Sequence, residues 1–135
     1  SVTISIDVKK IGEEYICFSN CGNKNTNLNI IKLFEIIKNK NFGEIILTSI
    51  DKEGTMTGYD LDLIKLVSRL TKVPIVASGG AGNYDHMVHA IKAGASAVAA
   101  SSIFHFTHLT PSGARKYLYS KGIETRDGFK FKFDN

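Results

Sequence analysis

One local pattern recurs along this chain: an apolar run enters a short loop of glycine and small polar residues. The first copy is Leu47-Thr-Ser-Ile-Asp-Lys-Glu-Gly-Thr-Met-Thr-Gly-Tyr-Asp60, and a helix-like stretch follows it. The second is Val73-Pro-Ile-Val-Ala-Ser-Gly-Gly-Ala-Gly82, and the third is Ala97-Val-Ala-Ala-Ser-Ser-Ile-Phe104. Successive strands therefore end in residues that leave the backbone accessible. Backbone N–H groups at strand ends and helix starts are what a phosphate needs. In a β/α barrel such loops gather on the face that carries chemistry.

Around these loops the sequence reads as alternating strands and helices. Residues 2–7 alternate apolar and polar and reach Asp7. Tyr15-Ile-Cys-Phe18 is a second β-like run, expected as a hairpin partner outside the main sheet. Asn23 to Asn27 reads as a polar loop with Thr26 or Asn27 as helix cap. Leu28 to Lys40 reads as a helix, with Ile30, Ile31, Phe34 and Ile37 as its apolar stripe. Strands are expected at Glu44 to Thr48, Pro74 to Ser78 and Ser96 to Ala100. Helices are expected at Tyr59 to Thr71, Tyr84 to Ala93 and Ser112 to Lys121, the last two stopped by Gly94 and Gly122. Asp60 suits a cap.

Strand then helix, four times over, predicts parallel strands joined by helical crossovers. Strands apolar on both faces predict a sheet covered by helices. Four such strands cannot close a barrel. The reading is half of a barrel, a half that pairs with a partner, or an open sheet.

The chain has 135 residues, enough for one compact domain with a core. No uninterrupted apolar stretch approaches the roughly 18 residues of a membrane span. The start, Ser1-Val-Thr-Ile-Ser-Ile-Asp7, reads as a strand and lacks the basic opening of a signal peptide, so a cytoplasmic location is expected. The net charge of +4 comes from scattered lysines, which argues against a nucleic-acid surface and for mild attraction of anionic substrates. Cys17 and Cys21 have neither zinc-knuckle nor redox spacing and read as reduced thiols, although Cys21 sits in a glycine-bearing loop where a functional thiol is the alternative. His86/His89 and His105/His108 are helical-spacing pairs, but no carboxylate or cysteine completes a zinc pattern, so no metal is expected.

Several residues stand where chemistry would need them. Asp7 ends the first strand, where a barrel places acid/base groups; its alternative is capping a loop. Lys9 follows it, suited to an anion or to solvent. Thr48 and Asp51 end the second strand, and Thr55 and Thr57 follow in its loop; all could bond substrate hydroxyls or only brace the loop. Glu44, at a strand start, reads from sequence alone as a solvated charge.

Specific motifs carry a resemblance. They are Ile6-Asp7-Val-Lys9, Gly22 with Lys24-Asn-Thr26, Gly43-Glu44-Ile-Ile-Leu-Thr-Ser-Ile-Asp51, Gly54-Thr55, Gly58-Tyr-Asp60, Ala77-Ser-Gly-Gly-Ala-Gly82, Ala93-Gly-Ala95 and Ser102-Ile-Phe-His-Phe106. Together they resemble the C-terminal half of the cyclase subunit of imidazole glycerol phosphate synthase. The resemblance runs from residue 2 to about 126, a half-barrel region at 1–126, with 127–135 as a tail. The sister isomerase of that pathway shares the phosphate loops but usually lacks the Leu-Thr-Ser-Ile-Asp strand, the Gly-Tyr-Asp and the Phe-His-Phe.

The resemblance implies an α/β fold of the (βα)8 TIM-barrel type, a ribulose-phosphate-binding barrel built from two similar halves, with this chain as the C-terminal (βα)4 half. It implies that Asp7 is the strand-five member of an acid/base pair whose strand-one member has no counterpart here. It places a phosphate site at Gly54, Gly79, Gly80, Ser101 and Ser102, with Thr55 beside it and Glu53 where the family has an aspartate. Lys9, Thr48 and Asp51 complete the candidate substrate-binding set. Glu44 corresponds to a charged ring that gates ammonia from a glutaminase partner. The implied enzyme is a lyase of histidine biosynthesis. It uses ammonia to convert a phosphoribulosyl-formimino-aminoimidazole carboxamide ribonucleotide to imidazole glycerol phosphate and the aminoimidazole carboxamide ribonucleotide. No metal or organic cofactor is implied, and neither is a nucleic acid or a membrane. The expected partners are the glutaminase and either an N-terminal half-barrel or a second copy; the isolated chain is expected to be inactive. Cys21 replaces a common serine or threonine, and Ser101 replaces a usual alanine. Two alternatives follow: a paralogue that forms an amidino group on a surface nucleotide sugar, and a non-catalytic phosphate-binding half-barrel.

Overall fold

The computed structural model describes residues 2–20, 22–100, 103–104 and 107–124. The strands are β1 (Thr3–Ile11), β2 (Glu14–Ser19), β3 (Lys24–Asn29), β4 (Glu44–Ser49), β5 (Ile75–Ser78) and β6 (Ala97–Val98). The described helices are α1 (Ile30–Ile37), α2 (Leu61–Leu70), α3 (Tyr84–Ala93) and α4 (Pro111–Ser120). Each helix starts on a side-chain cap that satisfies an otherwise orphaned N–H. Asn29 accepts from Ile31 N at 2.8 Å, Asp60 from Leu63 N at 3.0 Å, Asn83 from His86 N at 2.9 Å and Thr110 from Gly113 N at 3.0 Å. The expected cap role of Asp60 is therefore met.

The strands form one six-stranded sheet in the order β3-β2-β1-β4-β5-β6. β1, β4, β5 and β6 are parallel, as the strand–helix rhythm predicts. Their order runs one way across the sheet. Right-handed crossovers then deliver every helix to the same face, unlike a doubly wound sheet whose order reverses. The packing agrees. Ile6, Val8, Ile45, Leu47 and Ile75 pack with Ile30, Phe34, Leu63 and Val67. Ala77 and Val98 belong to the cluster that holds Ile64, Met87, Val88 and Leu118.

The structure corrects three expectations. First, β2 is not outside the main sheet: it pairs antiparallel with β1 from Asp7↔Phe18 to Ile11↔Glu14 and extends it. Second, the polar stretch before α1 is an edge strand rather than a loop. β3 pairs with β2 (Ile16↔Asn29, Cys17↔Leu28), and Thr26 Oγ1 donates to Cys17 O at 2.5 Å. An exposed edge needs backbone partners more than apolar side chains, so its composition hides it. α1 consequently begins at Ile30, later than Leu28, and ends at Ile37, short of Lys40. Third, Asp7 does not end its strand: the parallel pairing with β4 stops at Val8↔Ser49, but β1 runs on to Ile11 as an arm paired with β2. Helices cover one sheet face among the described residues, as the half-barrel reading implies. The opposite face carries Ser5, Asp7, Ile46, Thr48 and Ser78, none of them in the two buried clusters.

Candidate active site at the C-terminal strand ends

The register puts three polar side chains in one row. Asp7 lies beside Thr48, and Thr48 lies beside Ser78. All three are half-buried and alternate with fully buried neighbours, so they share the helix-free face. At about 4.8 Å per strand spacing, the row is roughly 10 Å across. Lys9 follows Asp7 on the same face of β1 and is exposed. Ser78 was missed as a site residue in the sequence, although it lay inside the Ala77-Ser-Gly-Gly motif. Only the parallel register reveals that it lines up with Asp7.

Above this row the loops lock together. Glu53 N bonds Ser49 O at 3.1 Å, Lys52 N bonds Ser49 Oγ at 3.3 Å, and Thr55 Oγ1 donates to Lys52 O at 2.7 Å. Thr55 and Thr57 hydroxyls meet at 2.8 Å. The first loop then touches the second: Gly58 N donates to Gly80 O at 2.7 Å. Gly79 and Gly80 have φ of +93° and +118°, a region that disfavours side chains. A Cβ at Gly79 would stand 2.7 Å from Ser49 O and 3.2 Å from Glu53 Oε2, and one at Gly80 would strike Gly58 O. The glycines are thus required by loop-on-loop contact as well as by any ligand. Gly54 has open space around it.

Tyr59 ties in the third loop. Its buried hydroxyl donates to Ala99 O at 2.8 Å, and burial, with Glu53 nearby, holds its pKa well above the usual tyrosine value. Asp51 Oδ2 accepts from Lys10 N at 2.9 Å, which fastens the β1 extension to the loop after β4. Tyr15 donates to Asp60 Oδ1 at 3.1 Å beside it. Asp51 therefore has a bracing contact, the structural alternative foreseen for it. Ser101, Ser102, Cys21 and His105 lie outside the described residues. Cys17 is buried, and burial pushes its thiol up to about 11, so it is held as a neutral apolar group.

Glu44 starts β4 opposite Thr3, on the same face as Ile46 and Thr48. Thr48 is four positions beyond Glu44, roughly 13 Å along the strand. A 410 Å³ cleft also lies at this end, between the C-terminal ends of α1 and α2, lined by Phe34, Lys38, Lys40, Phe42, Arg69 and Lys72 among others. Cations there complement the negative helix ends. Among the described residues no cluster of His, Cys, Asp and Glu could hold a metal, and no helix is long and apolar enough to cross a membrane.

Comparison with known proteins agrees with this geometry. Residues 1–110 match the family model described as histidine biosynthesis protein. The imidazole glycerol phosphate synthase subunit HisF of Thermotoga sp. (strain RQ2) is 40% identical over 126 residues, which is 93% of this chain and 50% of that protein. The same-named subunit of Pyrobaculum aerophilum is 41% identical over 126 residues, again 93% and 50%. That of Metallosphaera sedula is 42% identical over 127 residues, 93% and 51%. The chain spans about half the length of the curated relatives it matches. A one-way parallel sheet with helices on one face is what half of that family's (βα)8 barrel requires, and the chain belongs to the histidine biosynthesis protein family.

Proposed function

We propose that this chain is the C-terminal half of a cyclase barrel that makes imidazole glycerol phosphate from an ammonia-dependent ring closure. The observation that carries the reading is the Asp7–Thr48–Ser78 row beneath interlocked glycine loops. Ring closure around an added ammonia needs protons moved to and from nitrogen and oxygen, and a positioned carboxylate can relay them. Asp7 is the carboxylate in that row. Thr48 and Ser78 offer hydroxyls to the substrate chain, and Lys9 offers a cation. Backbone N–H groups of the loops that hold Gly54, Gly79, Gly80, Ser101 and Ser102 would receive a phosphate, with Thr55 and Glu53 at the rim.

The same sheet face supports a route for ammonia. Glu44 stands at its entry, and Ile46 and Ser5 lie between it and Asp7. A glutaminase subunit docked at the strand-start end would deliver ammonia there. The uncovered face favours closure by an N-terminal half-barrel or a second copy, because a sheet face in a barrel is filled by the facing strands.

The test is turnover of the histidine-pathway substrate with ammonium, by the chain alone and mixed with a matching N-terminal half. Activity is expected only in the mixture and is abolished by Asp7→Asn. A folded mixture that binds phosphate but releases no imidazole glycerol phosphate would overturn the reading in favour of a sugar-modifying paralogue.

A further inference from the structure

The histidine pair noted in the sequence divides in the fold. His89 is exposed, whereas His86 is half-buried where the first two loops meet. Gly82 N–H donates to His86 Nδ1 at 2.9 Å. A backbone N–H can only donate, so Nδ1 carries a lone pair and the neutral ring keeps its proton on Nε2. Asn83 Nδ2 lies 3.4 Å from Nε2, but with the proton on Nε2 both nitrogens are donors and form no bond. The ring is held at its root, since His86 N–H is bound by the Asn83 cap. Its outer edge faces the loop after β4: a Cβ at Gly58 would lie 3.6 Å from Cδ2 and 3.7 Å from Nε2. A Cβ at Gly82 would come within 3.2 Å of His86 Cε1 and collide with Met56 O. The imidazole thus fills the corner left by Gly58 and Gly82, next to the Gly58–Gly80 bond.

We propose that neutral His86 is a positioning residue that holds Gly80 and Gly82 against the loop after β4 in the shape the anion site needs, and that protonating its ring releases them. The proposal rests on the phosphate reading above. A protonated ring would turn a second N–H toward Gly82 N–H and break their bond. Burial and His89 lower the pKa of His86 below the usual histidine value of 6.5, while Asp85 opposes them. From the loop after β4, Met56 and Gly58 beside the ring are uncharged, while Lys52 and Glu53 stand farther along it, beside Gly80 and Gly79. A lowered folded pKa means that the brace is present above the unfolded pKa and is lost as pH falls through the folded one.

The experiment is nitrogen NMR of the labelled chain, titrated from about pH 8 to about pH 5 across the histidine range. Expected are an unprotonated Nδ1 and a protonated Nε2 on His86, and Gly80 and Gly82 amide shifts that follow the midpoint of His86 rather than that of His89. His86→Asn keeps an acceptor near the Nδ1 position, so the Gly82 shift should persist and lose its pH step; His86→Ala should displace it at every pH. Sulfate, which keeps its charge over this range, probes the site. Its affinity at the Gly80 amide should fall at least about five-fold as wild-type His86 protonates, but not in His86→Asn. A proton on Nδ1 at pH 8, or a Gly82 amide indifferent to His86, would overturn the proposal. Sulfate that binds equally well at both ends of the titration would overturn its anion-site half. Intact His86–Gly82 coupling with no sulfate bound at any pH would instead sink the phosphate reading beneath it.

Discussion

The two faces of the parallel sheet obey different rules. Ile6, Val8, Ile45, Leu47 and Ile75 point to one face and are buried against helices. Ser5, Asp7, Glu44, Thr48 and Ser78 point to the other and stay at least partly exposed. The residues alternate along the same strands, so the contrast is not one of location in the chain. The covered face holds the chain together, and the open face is polar where Asp7, Thr48 and Ser78 line up. Alternation of two per repeat lets neighbouring residues serve opposite purposes.

Substitutions can break this comparison. Asp7→Asn should lower turnover of the assembled barrel at least about 100-fold, the range of a lost general acid/base. Its melting temperature should stay near wild type; equal losses of stability and turnover would erase the division between faces. Leu47→Ala, on the covered face, should cost about 3 kcal/mol in urea unfolding, because the surrounding side chains cannot fill the cavity. Tyr59→Phe should cost about 1 kcal/mol by removing the buried bond to Ala99 O, and the amides around residue 99 should exchange faster. Thr48→Ala, one residue from Leu47 but on the open face, should shift unfolding by less than about 0.5 kcal/mol while weakening substrate binding. If Thr48→Ala destabilises as much as Leu47→Ala does, the open face is part of the core.

Where side-chain chemistry and local conformation coincide, the elements were readable in advance. α3 spans Tyr84–Ala93 as expected, with Gly94 as its stop; its Asn83 cap is seen only in the structure. Asp60 announced the start of α2. β3 escaped notice because Lys24–Asn29 is polar, and an edge strand is recognised only by the partner that pairs with it. Ser78 escaped for a related reason, and His86 showed only as half of a spacing pair. Neither stands out in composition, and each acquires its place from a contact across the fold.

Sequence alone determined the parallel strands and the helices that join them, and it placed Asp7 on the first strand, though not the run of that strand on to Ile11. These depend on periodicity and caps within a few residues of one another. Only the tertiary structure decided that the sheet winds one way, that one face is left without helices among the described residues, and that Asp7, Thr48 and Ser78 form a row. It alone showed that Gly79 and Gly80 are small because a neighbouring loop crosses them. Register and loop contact join residues tens of positions apart, and no local pattern encodes which backbone a glycine will meet.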